Sequence, residues 1–138
     1  FPIMGTVFDV GGFVPIDRAD RDKAMASITR GAESLRAGNS FLIFPEGTRS
    51  RTGHLLPFKK GGFIMAIQAQ VPIVPVAVQG GRAAMRKGSA VVRPVRVSVR
   101  IGTPVPTAGL TLDDRDVLIE RVRQQVEALL AAGSLWSS

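Results

Sequence analysis

The chain has 138 residues, 18 Lys and Arg against 11 Asp and Glu, a formal charge of +7 and 45% hydrophobic residues. That length holds one domain rather than two independent cores, and the composition is globular rather than disordered. Cysteine is absent and His54 is the single histidine, which excludes disulfides, thiolate nucleophiles, Cys-ligated zinc and any histidine pair. No apolar run approaches the ~18 residues of a membrane span. The opening Phe1-Pro2-Ile3 carries no signal-peptide pattern and reads as a cut from a longer chain.

No repeat or low-complexity segment is present. Phe13-Val14-Pro15-Ile16 reads as a short strand whose Pro15 suits an edge or an end. Asp20 is placed to cap a helix running to about Arg36. Ala24, Ile28, Ala32 and Leu35 recur in it at helical spacing, and Gly38 is its stop. Ser40-Phe41-Leu42-Ile43-Phe44 is the continuous apolar run expected of a strand buried on both faces. A polar loop follows over residues 45–57, then a buried helix over 62–69. Residues 71–78 read as a second buried strand, but Pro72 and Pro75 remove ladder donors and predict an irregular or edge segment. In 95–101 the alternation predicts Val95, Val97, Val99 and Ile101 facing a core, with Arg96, Ser98 and Arg100 outward. The last helix runs from Thr111 to about Ala131. Thr111 and Asp114 form a relative of the capping box, and Leu118, Val122, Gln125, Val126 and Leu129 form the inward stripe. The tail 134–138, with Trp136, reads as frayed. Strands alternating with helices predict an α/β fold, a mixed, largely parallel sheet flanked by helices.

Charge is unevenly spread. No acidic residue lies between Glu46 and Asp113, where ten basic ones do: Arg49, Arg51, Lys59, Lys60, Arg82, Arg86, Lys87, Arg93, Arg96 and Arg100. A one-signed stretch concentrates anions at the surface. Nucleic acid, an anionic membrane and a phosphorylated small substrate all fit, as does plain solubility. Aromatics are 6% and Tyr is absent, which leaves few stacking platforms for nucleic acid.

The sharpest chemical signal is Phe44-Pro45-Glu46-Gly47-Thr48-Arg49-Ser50. It stands where an apolar strand run emerges into a loop, and α/β folds bind ligands at the carboxyl ends of strands. Gly47 admits close backbone amides, Thr48 and Ser50 offer hydroxyls, and the planar fork of Arg49 matches two phosphate oxygens. Glu46 is placed to orient that guanidinium or to accept a substrate hydroxyl. The same residues also make a polar strand-to-helix turn with an ordinary surface ion pair.

That heptapeptide resembles the third signature block of the glycerolipid acyltransferases, the 1-acyl-glycerol-3-phosphate acyltransferase family. Gly12-Phe13-Val14-Pro15-Ile16-Asp17-Arg18 is similar to the second block, with Pro15 where an aromatic is more usual. Val71-Pro72-Ile73-Val74-Pro75-Val76 resembles the fourth, and Leu56-Pro57-Phe58-Lys59-Lys60-Gly61 between them also looks like the family. The likeness covers roughly residues 1–101, with the blocks in the family's order.

In that family the first block is His-x4-Asp, a general base on the acceptor hydroxyl and the acid that orients it. It does not occur in these 138 residues. Five positions after His54 stands Lys59, and His54 follows the third block, so it reads as a solvated loop residue. The resemblance therefore implies one partial acyltransferase domain over 1–138, its glycerolipid acyltransferase fold N-terminally incomplete. No catalytic residue is expected here, the His-x4-Asp being expected upstream of Phe1. The implied phosphate site is Arg18, Arg49, Glu46, Gly47, Thr48 and Ser50, with Lys59 and Lys60 as secondary cations. The two arginines would take the phosphate, and Glu46, Gly47 and Thr48 would shape the site and hold glycerol hydroxyls.

The implied reaction moves an acyl group from a thioester of coenzyme A or acyl carrier protein to the free hydroxyl of lysophosphatidate. Its product is phosphatidate, and no metal or cofactor is implied. The implied partners are lysophosphatidate, the acyl-CoA or acyl carrier protein and an anionic membrane at the cytoplasmic face, with no nucleic acid. The isolated chain is expected to be inactive. The alternative is a non-catalytic module that keeps a phosphate or lysophospholipid site.

Overall fold

The computed structural model describes residues 21–46, 55–80, 91 and 94–133. The strand expected at 13–16, the capping Asp20 and the tail from 134 lie outside the described residues. The chain divides into two compact units, Phe1–Pro72 with Pro106–Ile119, and Ile73–Val105 with Glu120–Ser138.

In the first unit, helix α1 spans Arg21–Arg36 and helix α2 spans Gly61–Ala69. Ile28 and Ala32, four apart, lie on the buried stripe of α1 and meet Met65 of α2. Leu35, Phe41, Ile64 and Ala69 pack around that cluster. The close approach of the helices depends on Gly31, where a Cβ would fall 2.5 Å from Met65 Cε. Gly38 ends α1 as its position predicts: it adopts φ +99° and its N–H donates to Leu35 O (3.1 Å).

Helix α2 is apolar except for Gln68 and buries Phe63, Met65, Ala66 and Ile67, as expected for the run 62–69. It ends in paired reverse bonds, Gln70 N–H to Ile67 O and Val71 N–H to Ala66 O, both 3.2 Å. Gln70 stands at φ +55°, a position that favours glycine. Its side chain offsets that cost. Nε2 donates to Ile67 O (2.6 Å) and Leu110 O (3.0 Å), and Oε1 accepts the Gly109 N–H (2.7 Å). Nearby, the buried Thr107 hydroxyl donates to Val71 O at 2.7 Å.

The second unit holds strands β1, Val76–Gln79, and β2, Ser98–Ile101. They pair antiparallel, Val76 opposite Ile101 and Val78 opposite Val99, with a further bridge at Ile73 and Val105. Strand β1 begins only after Pro75, in line with the donors that two prolines remove. The Pro75 carbonyl still accepts the Gly102 N–H (2.8 Å). In the first unit one turn of 3₁₀ helix, Leu112–Asp114, leads into helix α3, Arg115–Ala131, whose residues from Glu120 on belong to the second unit. As the Thr111 and Asp114 pairing predicts, Asp114 Oδ2 accepts the Thr111 N–H (2.9 Å). Leu118 and Val122 of the expected stripe are buried, and Gln125, Val126 and Leu129 are half-buried.

Two expectations change. First, β2 presents the opposite face to the one predicted. Ser98 is 2% exposed, whereas Val97 and Val99 are exposed and Ile101 is 71% exposed. The reason is the C-terminal end of α3, which draws on polar side chains of the strands. Gln79 Nε2 donates to Leu130 O and Arg100 Nε to Gly133 O, each at 3.0 Å. Arg100 is therefore half-buried beneath a helix end, where a cation suits the dipole, rather than facing outward.

Second, Ser40-Phe41-Leu42-Ile43-Phe44 forms no ladder among the described residues, and Leu42 and Phe44 are 72% and 71% exposed. Among the described residues no strand pairs with the run's backbone and no layer covers Leu42 and Phe44. The sheet among the described residues is the two-stranded antiparallel pair, and they show no parallel sheet. Helix and strand elements together keep the α/β character.

Candidate functional site

The apolar run 40–44 delivers Pro45 and Glu46 to the start of the polar loop. Two hydrogen bonds join that start to the loop's far end. Glu46 Oε2 accepts the Leu56 N–H at 2.8 Å, and Pro45 O accepts the Lys59 N–H at 2.7 Å. The chain thus leaves at Glu46 and returns at Leu56 within one hydrogen bond of itself.

Both feet of the loop rest on α2. A Cβ on Gly62 would fall 2.7 Å from Ile43 Cδ1, so only the bare backbone at 62 lets α2 approach the incoming segment this closely. On the outgoing side the Phe58 and Phe63 rings stack at 6.1 Å and 18°.

The positive character of the outgoing foot comes from two sources. Lys59 and Lys60 are both exposed there, and α2 starts immediately afterwards with no acidic residue in its first turn. Its N-cap, Lys60, makes no side-chain cap, so the first N–H groups keep their partial positive charge. Lys60 Nζ lies 3.7 Å from Asp116 Oδ1, an exposed pair of the kind that contributes about 0–1 kcal/mol. Chemically this arrangement favours an anion beside a loop rich in hydroxyls and glycine.

Of the residues singled out in the sequence, Glu46, Lys59 and Lys60 are brought together at the feet of one loop. Arg18, Gly47, Thr48, Arg49 and Ser50 lie outside the described residues, as does His54. The structure adds three participants with no signal in the sequence: the Leu56 N–H, the Pro45 carbonyl and the bare Cα of Gly62. The first two are backbone groups, which residue type does not reveal. The basic stretch is also partly employed inside the fold, since Arg100 serves the end of α3. Among the described residues no group of three or more His, Cys, Asp or Glu is placed to hold a metal. No described helix is long and apolar enough to cross a membrane.

Comparison with known proteins bears on this loop directly. A family profile described as Acyltransferase matches residues 1–79, which include the loop and both of its feet. A 1-acyl-sn-glycerol-3-phosphate acyltransferase of Limnanthes douglasii is 37% identical over 123 residues, 88% of this chain and 44% of the relative. The human 1-acyl-sn-glycerol-3-phosphate acyltransferase alpha is 38% identical over 118 residues, 85% of this chain and 42% of the relative. The chain thus spans less than half the length of these curated relatives.

Among solved structures, the 1-acyl-sn-glycerophosphate acyltransferase PlsC of Thermotoga maritima superposes with a TM-score of 0.66 at 34% identity. That match covers 84% of this chain and 48% of the other. A profile spanning more than half of the chain, agreeing with the blocks read from the residues and with a solved structure, leads to one conclusion: the chain belongs to the acyltransferase family.

Proposed function

We propose that these 138 residues form the phosphate-binding part of a 1-acyl-sn-glycerol-3-phosphate acyltransferase, one partial domain acting in phosphatidate synthesis. The observation that carries this is the loop bearing Glu46-Gly47-Thr48-Arg49-Ser50, closed on itself at the foot of α2 and lying within the family match. Arg18 and Arg49 take the phosphate of lysophosphatidate, Glu46, Gly47, Thr48 and Ser50 shape the site, and Lys59 and Lys60 add positive field. In the reaction the acceptor oxygen forms an ester bond to the acyl carbon and the thioester C–S bond breaks. The hydroxyl proton passes to the histidine of a His-x4-Asp, which these residues do not contain. The donor is an acyl thioester of coenzyme A or acyl carrier protein, and no metal or cofactor takes part. The basic stretch meets an anionic membrane at the cytoplasmic face, where each Lys or Arg contributes about 1 kcal/mol. In the complete fold the run 40–44 lies in a largely parallel sheet.

The test is a titration of the 138-residue chain with glycerol 3-phosphate, together with a thioester-release assay on lysophosphatidate and acyl-CoA. Binding without turnover is expected. Arg18→Ala and Arg49→Ala should each weaken binding about 10-fold or more, the size of a charge-assisted contact to phosphate. Binding indifferent to both substitutions refutes the site, and turnover refutes the assignment of the base to another segment.

A second reading of the same loop is a non-catalytic phosphate or lysophospholipid-binding module, favoured by the exposed Lys59 and Lys60 at the loop's foot. The codons upstream of Phe1 separate the two. A His-x4-Asp encoded there favours the enzyme, and a start codon immediately before Phe1 favours the module.

A further inference from the structure

We infer that Glu46 is a positioning residue, whose carboxylate holds the two feet of the phosphate loop together rather than acting on the substrate through its charge. The sequence leaves Glu46 two roles at the ligand, orienting Arg49 or accepting a hydroxyl. The structure occupies it with a third. Glu46 is half-buried, and Oε2 accepts the Leu56 N–H across ten residues at 2.8 Å.

This bond is the inner of two rungs, the outer being Pro45 O with Lys59 N–H at 2.7 Å. Pro57 has no N–H to give, so between the two rungs only Phe58 carries a further backbone donor. The outer rung is backbone to backbone and depends on no side chain. The inner rung depends on the side chain of Glu46, and with it the width at which the loop leaves α2. The incoming foot is seated by Ile43 against Gly62, so opening the inner rung releases Leu56 from Glu46 while that seat stays.

A carboxamide oxygen accepts the same bond as a carboxylate oxygen, whereas it neither carries charge to a guanidinium nor accepts a proton from a hydroxyl. Gln at 46 therefore separates positioning from charge. The ligand half of the inference rests on the phosphate reading above, while the clasp itself rests on geometry alone.

The experiment compares the 138-residue chain with E46Q, E46A and L56P in two measurements, amide hydrogen exchange and titration with glycerol 3-phosphate. E46A is expected to speed exchange at Leu56 at least 10-fold while the Ile28 and Ala32 amides of α1 keep their wild-type rates. E46Q is expected to stay within threefold of wild type at Leu56. In the titration E46A and L56P should weaken binding at least 10-fold, and E46Q less than threefold.

E46Q as damaging to binding as E46A, with Leu56 protection retained, overturns the inference and returns the role to the charge. Unchanged Leu56 exchange in E46A overturns it as well. Should E46A not fold, E46Q against L56P makes the same distinction, because L56P removes the donor and leaves the carboxylate. A wild-type chain that ignores glycerol 3-phosphate refutes the phosphate reading, and the exchange data still decide the clasp.

Discussion

The packing of α1 on α2 supports the base of the loop, and its tightest point is Gly31 against Met65. An Ala methyl at 31 would lie 2.5 Å from Met65 Cε and 2.6 Å from Sδ, against the ~3.5–4.0 Å of a comfortable carbon contact. Two terms of opposite sign then act. Gly to Ala inside a helix gains about 1 kcal/mol of propensity. Overpacking a close-fitted core costs about 1–3 kcal/mol, at the lower end here because the atoms struck belong to the end of a flexible side chain. Gly31→Ala alone should therefore be neutral to destabilising by about 2 kcal/mol.

Met65→Ala alone removes a side chain that is 2% exposed and should cost about 2–5 kcal/mol. With Met65 truncated the obstruction is gone, so adding Gly31→Ala should stabilise by about 1 kcal/mol. The double-mutant cycle thus predicts a favourable coupling of about 1–3 kcal/mol. Urea unfolding followed by far-UV circular dichroism measures it, with thermal midpoints moving about 4 °C per kcal/mol in a chain of this size. If Gly31→Ala has the same effect in both backgrounds, the two residues do not touch and the helix crossing argued above is wrong.

Two further outcomes are expected. Gln70→Gly relieves a left-handed backbone by about 1 kcal/mol but deletes bonds to Ile67, Leu110 and Gly109. A net loss of about 1–2 kcal/mol should appear in urea unfolding, and a gain in stability would show that the side-chain clasp contributes nothing. Arg100→Met keeps the aliphatic stem and removes the donor to Gly133 O, so exchange in the last turn of α3 should rise severalfold, by about 1 kcal/mol. Unchanged exchange there would return Arg100 to the outward, anion-attracting role that strand alternation assigns it.

Much of the local structure is legible in residue order because its causes are local. Four-residue spacing of Ile28 and Ala32, a glycine two residues beyond Arg36, two prolines delaying a strand and an Asp three residues after Thr111 each act within one or two turns of chain. The site is legible to the same depth. Residue chemistry makes 44–50 suited to a phosphate or to a plain polar turn, but nothing at Glu46 announces that its partner is a backbone N–H ten residues away.

Alternation in 95–101 shows why the rest was not legible. A period of two assigns residues to two faces and is silent about which face is covered. Hydrophobicity favours burying Val97, Val99 and Ile101, yet the end of α3 needs donors and meets the side bearing Arg100 and Ser98. Its unsatisfied carbonyls, not the valines, decide the orientation.

Composition and order alone determined a cationic chain of alternating helices and strands whose motifs resemble the acyltransferase blocks. Tertiary structure decided the use of individual groups. It turned one strand over, diverted an arginine from the surface to a helix end and engaged a carboxylate in closing a loop. The physical reason is that a hydrogen bond between groups far apart in the chain depends on where backbone donors and acceptors come to lie, and residue identity carries no record of that.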